Sequence, residues 1–194
     1  MIDKKHITGI ILAGGKSSRI GSDKGFLLLK NKPFIQHIIE AMQPLVNEII
    51  IVSNNLEYDI FKLKRVNDLI KDSGPLAGVH TGLHYSNTEN NLVLSCDVPL
   101  INTETLKRLT EQVDENAEII QLESKDKTMP LIAIYSKHCE SKFSNLLDQG
   151  ERRLRFAVNQ FKVKTIVLNK EQEKFTKNIN TPDNLNEITN EVDH

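Results

Sequence analysis

Residues 12–25 read LAGGKSSRIGSDKG and lie between two apolar runs, ITGII and FLLL. Glycine lacks a Cβ, so Gly14 and Gly15 let backbone amides approach a ligand closely, and successive exposed amides form a cradle for an anion. Arg19 and Lys24, with Lys16 beside them, add positive charge. A guanidinium meets phosphate oxygens in pairs, whereas an ammonium acts as a compact point charge. The chemistry implied is the grip of several phosphates. The spacing is not that of a P-loop, because five residues separate Gly15 from Gly21 and the lysine comes later; nor does the loop match G-x-G-x-x-G.

A second stretch points to the same chemistry. NLVLSCDVPLI (91–101) is an apolar run that reaches Asp97 and then Pro99. A carboxylate at the end of a buried strand is placed to hold Mg²⁺, which takes one or two carboxylates together with phosphate oxygens and water. Cys96 is its strand neighbour, points to the opposite face, and reads as core. The third stretch is DLIKDSGPLAGVHTG (68–82), in which Gly74 and Gly78 flank Pro75 at an expected helix start. Such a start offers free amides to an anion or a ribose. Asp68 could accept two hydrogen bonds side by side, which suits the adjacent N–H donors of guanine, and Asp72 is a rival for that role.

The elements that must hold these residues alternate between strand and helix. HITGIIL (6–12) reads as a buried strand, and 33–45 carries Phe34, Ile35, Ile38, Ile39, Met42 and Leu45 at helical spacing. Strands follow at 48–53 and near 63–66, a helix at 75–86 despite its glycines, and a strand at 91–97. A helix over 102–113 has Asn102 or Thr103 as its cap. Two strands, AEIIQL and PLIAIY, precede a helix over 137–150 that ends on Gly150. A strand over 162–168 and a helix over 181–192, with Thr181 as cap and Pro182 at its first position, complete the chain. This alternation predicts a three-layer α/β fold with a mostly parallel sheet, formed as one domain over residues 1–194.

Composition limits what such a domain does. The net charge of −1 gives no general attraction to nucleic acid or to an anionic membrane, so any anion site must be built locally. Cys96 and Cys139 lack metal or redox spacing and read as reduced thiols of a cytoplasmic protein. No apolar run approaches the roughly 18 residues of a membrane span.

The motifs LAGGKSSRIGSDKGFLLLKNKPFI, GPLAGV, CDVPLI, MPLIAIY and NINTPDNL, in this order, resemble those of the molybdenum cofactor guanylyltransferases from Ile7 to about Leu185. The first motif is shared by many nucleotidyltransferases; the DKG ending and NINTPDNL narrow the resemblance to the pterin-cofactor branch. It implies a Rossmann-like nucleotidyltransferase fold and transfer of GMP from GTP to the phosphate of molybdopterin, releasing pyrophosphate. Leu12, Ala13 and Gly14 would then line the nucleotide through main chain, while Gly15, Arg19 and Lys24 meet its phosphates. Asn54 and Asp68 would contact the nucleoside, and Asp97 would hold Mg²⁺, with Mn²⁺ as the alternative. Asn178 and Asn180 would lie near the pterin, with Arg152 and Arg153 as candidates for its phosphate. Ile20 stands where the family commonly has Met. Other cofactor-assembly proteins or apo-molybdoenzymes are the implied partners. The rival readings are a related enzyme using CTP or a sugar phosphate, and a non-catalytic nucleotide-binding assembly protein.

Overall fold

The computed structural model describes residues 2–14, 23–114, 116–180 and 184. At its centre is β1 (Ile7–Leu12), all six residues of which are buried. A strand apolar on both faces needs cover on both, and it has two parallel neighbours: β4 (Glu48–Val52) and β6 (Asn90–Ser95). A small hairpin, β2 (Leu28–Leu29) with β3 (Lys32–Pro33), stands apart from the main sheet. The sheet also contains β5 (Lys64–Val66), β7 (Ile119–Ser124), β8 (Lys127–Ser136) and β9 (Val163–Val167), in the order β5-β4-β1-β6-β8-β7-β9.

The mostly parallel sheet expected from the sequence is present. Only β8 runs against the other six strands, pairing antiparallel with β6 and β7. A two-residue turn explains the reversal. Lys125 and Asp126 both have positive φ, 51° and 59°, the backbone hand that lets two strands fold back with their natural twist.

Helices α1 (Phe34–Met42) and α3 (Thr103–Thr110) cover one face of the sheet, where Ile7 and Ile11 of β1 meet Ile38, Met42, Leu106 and Leu109. Helices α2 (Gly74–Tyr85), α4 (Cys139–Asp148) and α5 (Leu154–Val158) cover the other, where Ile10 and Leu12 meet Leu76, Val79 and Phe143. A short α6 (Lys170–Glu173) follows β9. Asn102 caps α3, its side chain accepting from the Thr105 amide at 2.8 Å. α4 closes with Gly150 at φ +86°; the amides of Gly150 and Glu151 turn back to the carbonyls of Leu147 and Leu146 at 3.0 and 2.9 Å. The helix expected over 181–192 lies outside the described residues, Asn184 apart.

The glycines of α2 belong to its packing. A Cβ on Gly78 would stand 3.3 Å from Leu12, and one on Gly82 would stand 2.4 Å from Cγ2 of Ile10. The missing side chains let α2 lie close over β1, which brings its first turn to the end of that strand. Gly82→Ala should therefore destabilise the fold. Overpacking a core costs about 1–3 kcal/mol, against the ~1 kcal/mol that alanine gains over glycine in a helix. A thermal melt checks this, and an unchanged or raised midpoint would contradict the close packing.

Candidate active site

Two adjoining cavities open at the C-terminal end of the sheet. The smaller, about 490 Å³, lies over the ends of β1, β4 and β6 and is lined by Leu12, Gly14, Val52 and Ser95. The larger, about 780 Å³, lies beside β6 and β8. Pro75, Ser95 and Leu131 border both. The chain leaves β1 towards β4 on one side and returns with β6 on the other, so the strand order reverses here. Open α/β sheets bind ligands in such a crevice.

β6 ends at Ser95, and Asp97 follows two residues later at the edge of the larger cavity. Its carbonyl accepts from the Ile179 amide at 2.8 Å, and Ile179 is buried against Leu29 and Phe34. This anchors the NIN segment beside Asp97. Lys24 lies in a single 3₁₀ turn, Lys24–Phe26, capped by Asp23, whose Oδ1 accepts from the Gly25 amide at 3.1 Å. The Lys24 ammonium donates to Oδ1 of Asn180 and stands 3.8 Å from Oδ2 of Asp97. Three motifs far apart in the chain thus meet at one charged point.

The Asp97 side chain is only 15% exposed. Its Oδ1 is buried and accepts no hydrogen bond among the described residues. A buried carboxylate oxygen without a partner carries a desolvation cost that a ligand can relieve. No group of three or more His, Cys, Asp or Glu gathers to hold a metal among the described residues. A cation here would have few protein carboxylates, Asp97 among them, and draw its other ligands from phosphates and water, the habit of Mg²⁺. The donor set fits such a cation. Neighbouring Cys96 is buried, as expected; burial above all, with Asp97 nearby, pushes its thiol up to about 12.

Asn54 and Asp68 both line the smaller cavity and bond each other reciprocally: Asn54 Nδ2 donates to Asp68 Oδ2 at 3.0 Å, and the Asp68 amide donates to Asn54 Oδ1 at 3.1 Å. Burial raises the Asp68 carboxyl above its ordinary value and Asp72 adds to this, while the Asn54 bond opposes it. Asp72 lines the same cavity in the left-handed region, with φ 52°. Gly74 opens α2 with φ +73°, and Ser73 makes no side-chain cap, so the first turn of that helix faces the cavity uncapped by its own N-cap residue. Ala13 is buried beneath, its amide donating to the Val52 carbonyl at 3.0 Å. Gly15, Lys16 and Arg19 lie outside the described residues.

The larger cavity has an apolar floor, including Val98, Met129, Ile132 and Leu154, and a basic rim. Asn178 and Arg153 line it. Arg153 forks onto Glu151, with bonds of 2.9 and 2.7 Å, which holds that carboxyl down at about 2, and it also stacks 4.8 Å from Phe156. Arg152 is turned elsewhere: its guanidinium bonds the carbonyls of Leu147 and Glu151, both at 2.8 Å, at the end of α4. Sequence reasoning passed over Arg155, which lines the cavity and donates to Thr128 Oγ1 at 2.8 Å. It also passed over Lys125 and Lys127 on the same rim. The basic run GERRLR held the signal for Arg155; the turn lysines had none.

Comparison with known proteins bears on this site. The family model described as a MobA-like NTP transferase domain matches residues 9–163. The chain is 42% identical over 184 residues to the "Probable molybdenum cofactor guanylyltransferase" of Flavobacterium johnsoniae, covering 94% of this chain and 96% of that one. Among solved structures, molybdopterin-guanine dinucleotide biosynthesis protein A from Archaeoglobus fulgidus superposes with a TM-score of 0.80 at 24% identity, over 96% of this chain and 98% of that one. The 4-diphosphocytidyl-2C-methyl-D-erythritol synthase of Anaerococcus prevotii gives 0.78 at 13% identity, over 100% of this chain and 98% of that one, a likeness of fold alone. No helix among the described residues is long and apolar enough to cross a membrane. The two cavities, with the Asp97–Lys24 pair beside the larger one, therefore sit in a nucleotidyltransferase, and the chain belongs to the molybdenum cofactor guanylyltransferase family, within the MobA-like NTP transferase domains.

Proposed function

We propose that this chain, acting as one domain in the cytoplasm, transfers GMP from GTP to the phosphate of molybdopterin, forming the guanine dinucleotide and pyrophosphate. The observation that carries the reading is Asp97 at the edge of the larger cavity, beside Lys24, with an oxygen that is buried and unpartnered among the described residues. The smaller cavity takes GTP. Leu12 and Gly14 border it, with Ala13 buried between them, and the three would meet the nucleotide through main chain, while Asn54 holds Asp68 towards the guanine donors. Asp68 is preferred to Asp72 because only Asp68 is oriented by a reciprocal bond with Asn54. Gly15, Arg19 and Lys24 take the phosphates. The larger cavity takes the acceptor: its apolar floor suits a flat ring system, Asn178 borders it, Asn180 stands nearby on Lys24, and Arg153, rather than Arg152, receives the acceptor phosphate.

A phosphate monoester is mostly ionised near neutral pH, with a second pKa of about 6, so it needs no general base. What opposes the reaction is the approach of one polyanion to another. The chain's work is accordingly to position and to neutralise. Asp97 would hold Mg²⁺, or Mn²⁺ in its place, which would supply positive charge to offset the negative charge of the phosphates. Lys24 stabilises the departing pyrophosphate, and Asn180 orients its ammonium. Handover to other assembly proteins or to apo-molybdoenzymes follows chemically, since a dinucleotide cofactor must reach an enzyme that uses it.

The test is incubation with GTP, molybdopterin and Mg²⁺, scoring pyrophosphate and the dinucleotide. Both should appear in equal amounts. Thermal stabilisation by GTP and not by CTP should accompany them. Stabilisation by CTP alone would transfer the reading to a cytidylyltransferase, and GTP binding without pyrophosphate would make the protein a non-catalytic assembly partner.

A further inference from the structure

One polar cluster beneath Lys24 is not accounted for by contact with either substrate. We propose that the buried hydroxyl of Tyr58, acting through Asp23, is a positioning group for Lys24. This rests on the reading of Lys24 as a phosphate-binding group.

The residues flanking Lys24 on both sides are tied to Tyr58. Before it, the Asp23 carboxylate accepts from the Tyr58 hydroxyl, from the Gly25 amide at 3.1 Å and from Asn55 Nδ2 at 3.1 Å. After it, Gly25 is pressed so close that an added Cβ would stand 2.2 Å from the Tyr58 oxygen. Phe26 then stacks on the Tyr58 ring at 4.6 Å. Tyr58 itself is fully buried, so its hydroxyl has a fixed place. Burial foremost pushes the phenol far above its ordinary value, and it remains a donor.

The arrangement answers an electrostatic problem. Asp23 borders the smaller cavity and adjoins Lys24 in sequence. An unrestrained carboxylate there would repel a polyphosphate and compete for the Lys24 ammonium. Three donors occupy it instead, and bonds to an ionised acceptor are of the strong class. Lys24 is left to reach Asp97 and Asn180.

Tyr58→Phe keeps the ring and removes the donor. We expect kcat/KM for GTP to fall at least about tenfold, the scale of one hydrogen bond to a charged group. In a Lys24→Ala background the same change should cost no further turnover, because both act through one group. A second measurement needs no turnover. Lys24 acetylation by acetic anhydride, followed by mass spectrometry on the protein without substrates, should speed up at least about threefold as the turn loosens. Asp23→Ala, which leaves Tyr58 in place, should show the same two signs and covers the case in which Tyr58→Phe does not fold. A purely structural tyrosine would lower the melting midpoint, cost the same activity in both backgrounds and leave acetylation unchanged; that result overturns the inference. A wild-type protein that releases no pyrophosphate from GTP and molybdopterin overturns the functional reading alone, because the acetylation rates still decide the role of Tyr58.

Discussion

Asp97→Ala should leave a folded protein whose pyrophosphate release is down at least about 100-fold, the scale of losing one electrostatic stabiliser in an active site. The two halves of this expectation have separate causes. The fold draws little from the carboxylate. Its Oδ1 accepts nothing among the described residues, its Oδ2 is 3.8 Å from Lys24, and the link to Ile179 uses the main-chain carbonyl, which alanine keeps. Removing a buried, unpartnered oxygen relieves its desolvation, so the melting midpoint should hold or rise slightly. The reaction should draw a great deal from it, because no group of three or more His, Cys, Asp or Glu among the described residues gathers to hold a metal in its stead. Turnover at saturating GTP, measured across a Mg²⁺ titration, checks the point. Full activity would remove Asp97 from the metal role, and an unfolded variant would assign it to structure.

Lys24→Ala should lower kcat/KM for GTP by about 10- to 100-fold, as expected for a charge-assisted contact worth about 1.5–3 kcal/mol. The fold should again be little affected. The ammonium's partners are the side chains of Asn180 and Asp97, while the 3₁₀ turn is held by Asp23 and the Gly25 amide. Lys24→Arg should not restore activity. A planar fork cannot reproduce a compact ammonium that meets Asn180 and the Asp97 carboxylate together. Steady-state kinetics with GTP varied, beside a thermal melt, gives both answers. Unchanged turnover and unchanged GTP affinity would take Lys24 out of the site.

Much of the fold was legible because its signals are local. A mostly apolar run needs cover on both faces, so β1 read as a buried strand. Asn102 and Gly150 announced helix ends through their own backbone preferences. Other features were not legible because their causes lie elsewhere in the chain. The reversal of β8 depends on Lys125 and Asp126 adopting positive φ, which these residue types signal weakly. The role of the α2 glycines depends on Ile10 and Leu12, some seventy residues earlier.

The site divides in the same way. By itself the sequence determined which groups could do the chemistry: a glycine-rich basic loop after a buried strand, and an acid after another. Those are properties of residue type and of position along a strand, and they survive without coordinates. Only the tertiary structure decided which groups meet. It brought Asn180 to Lys24 across 156 positions, turned Arg152 onto the end of α4 while Arg153 and Arg155 reached the cavity, and set Tyr58 against Asp23 across 35. Contacts of that kind follow from how helices and strands pack over the sheet. No local pattern encodes them, because each partner would look the same in sequence if it faced solvent.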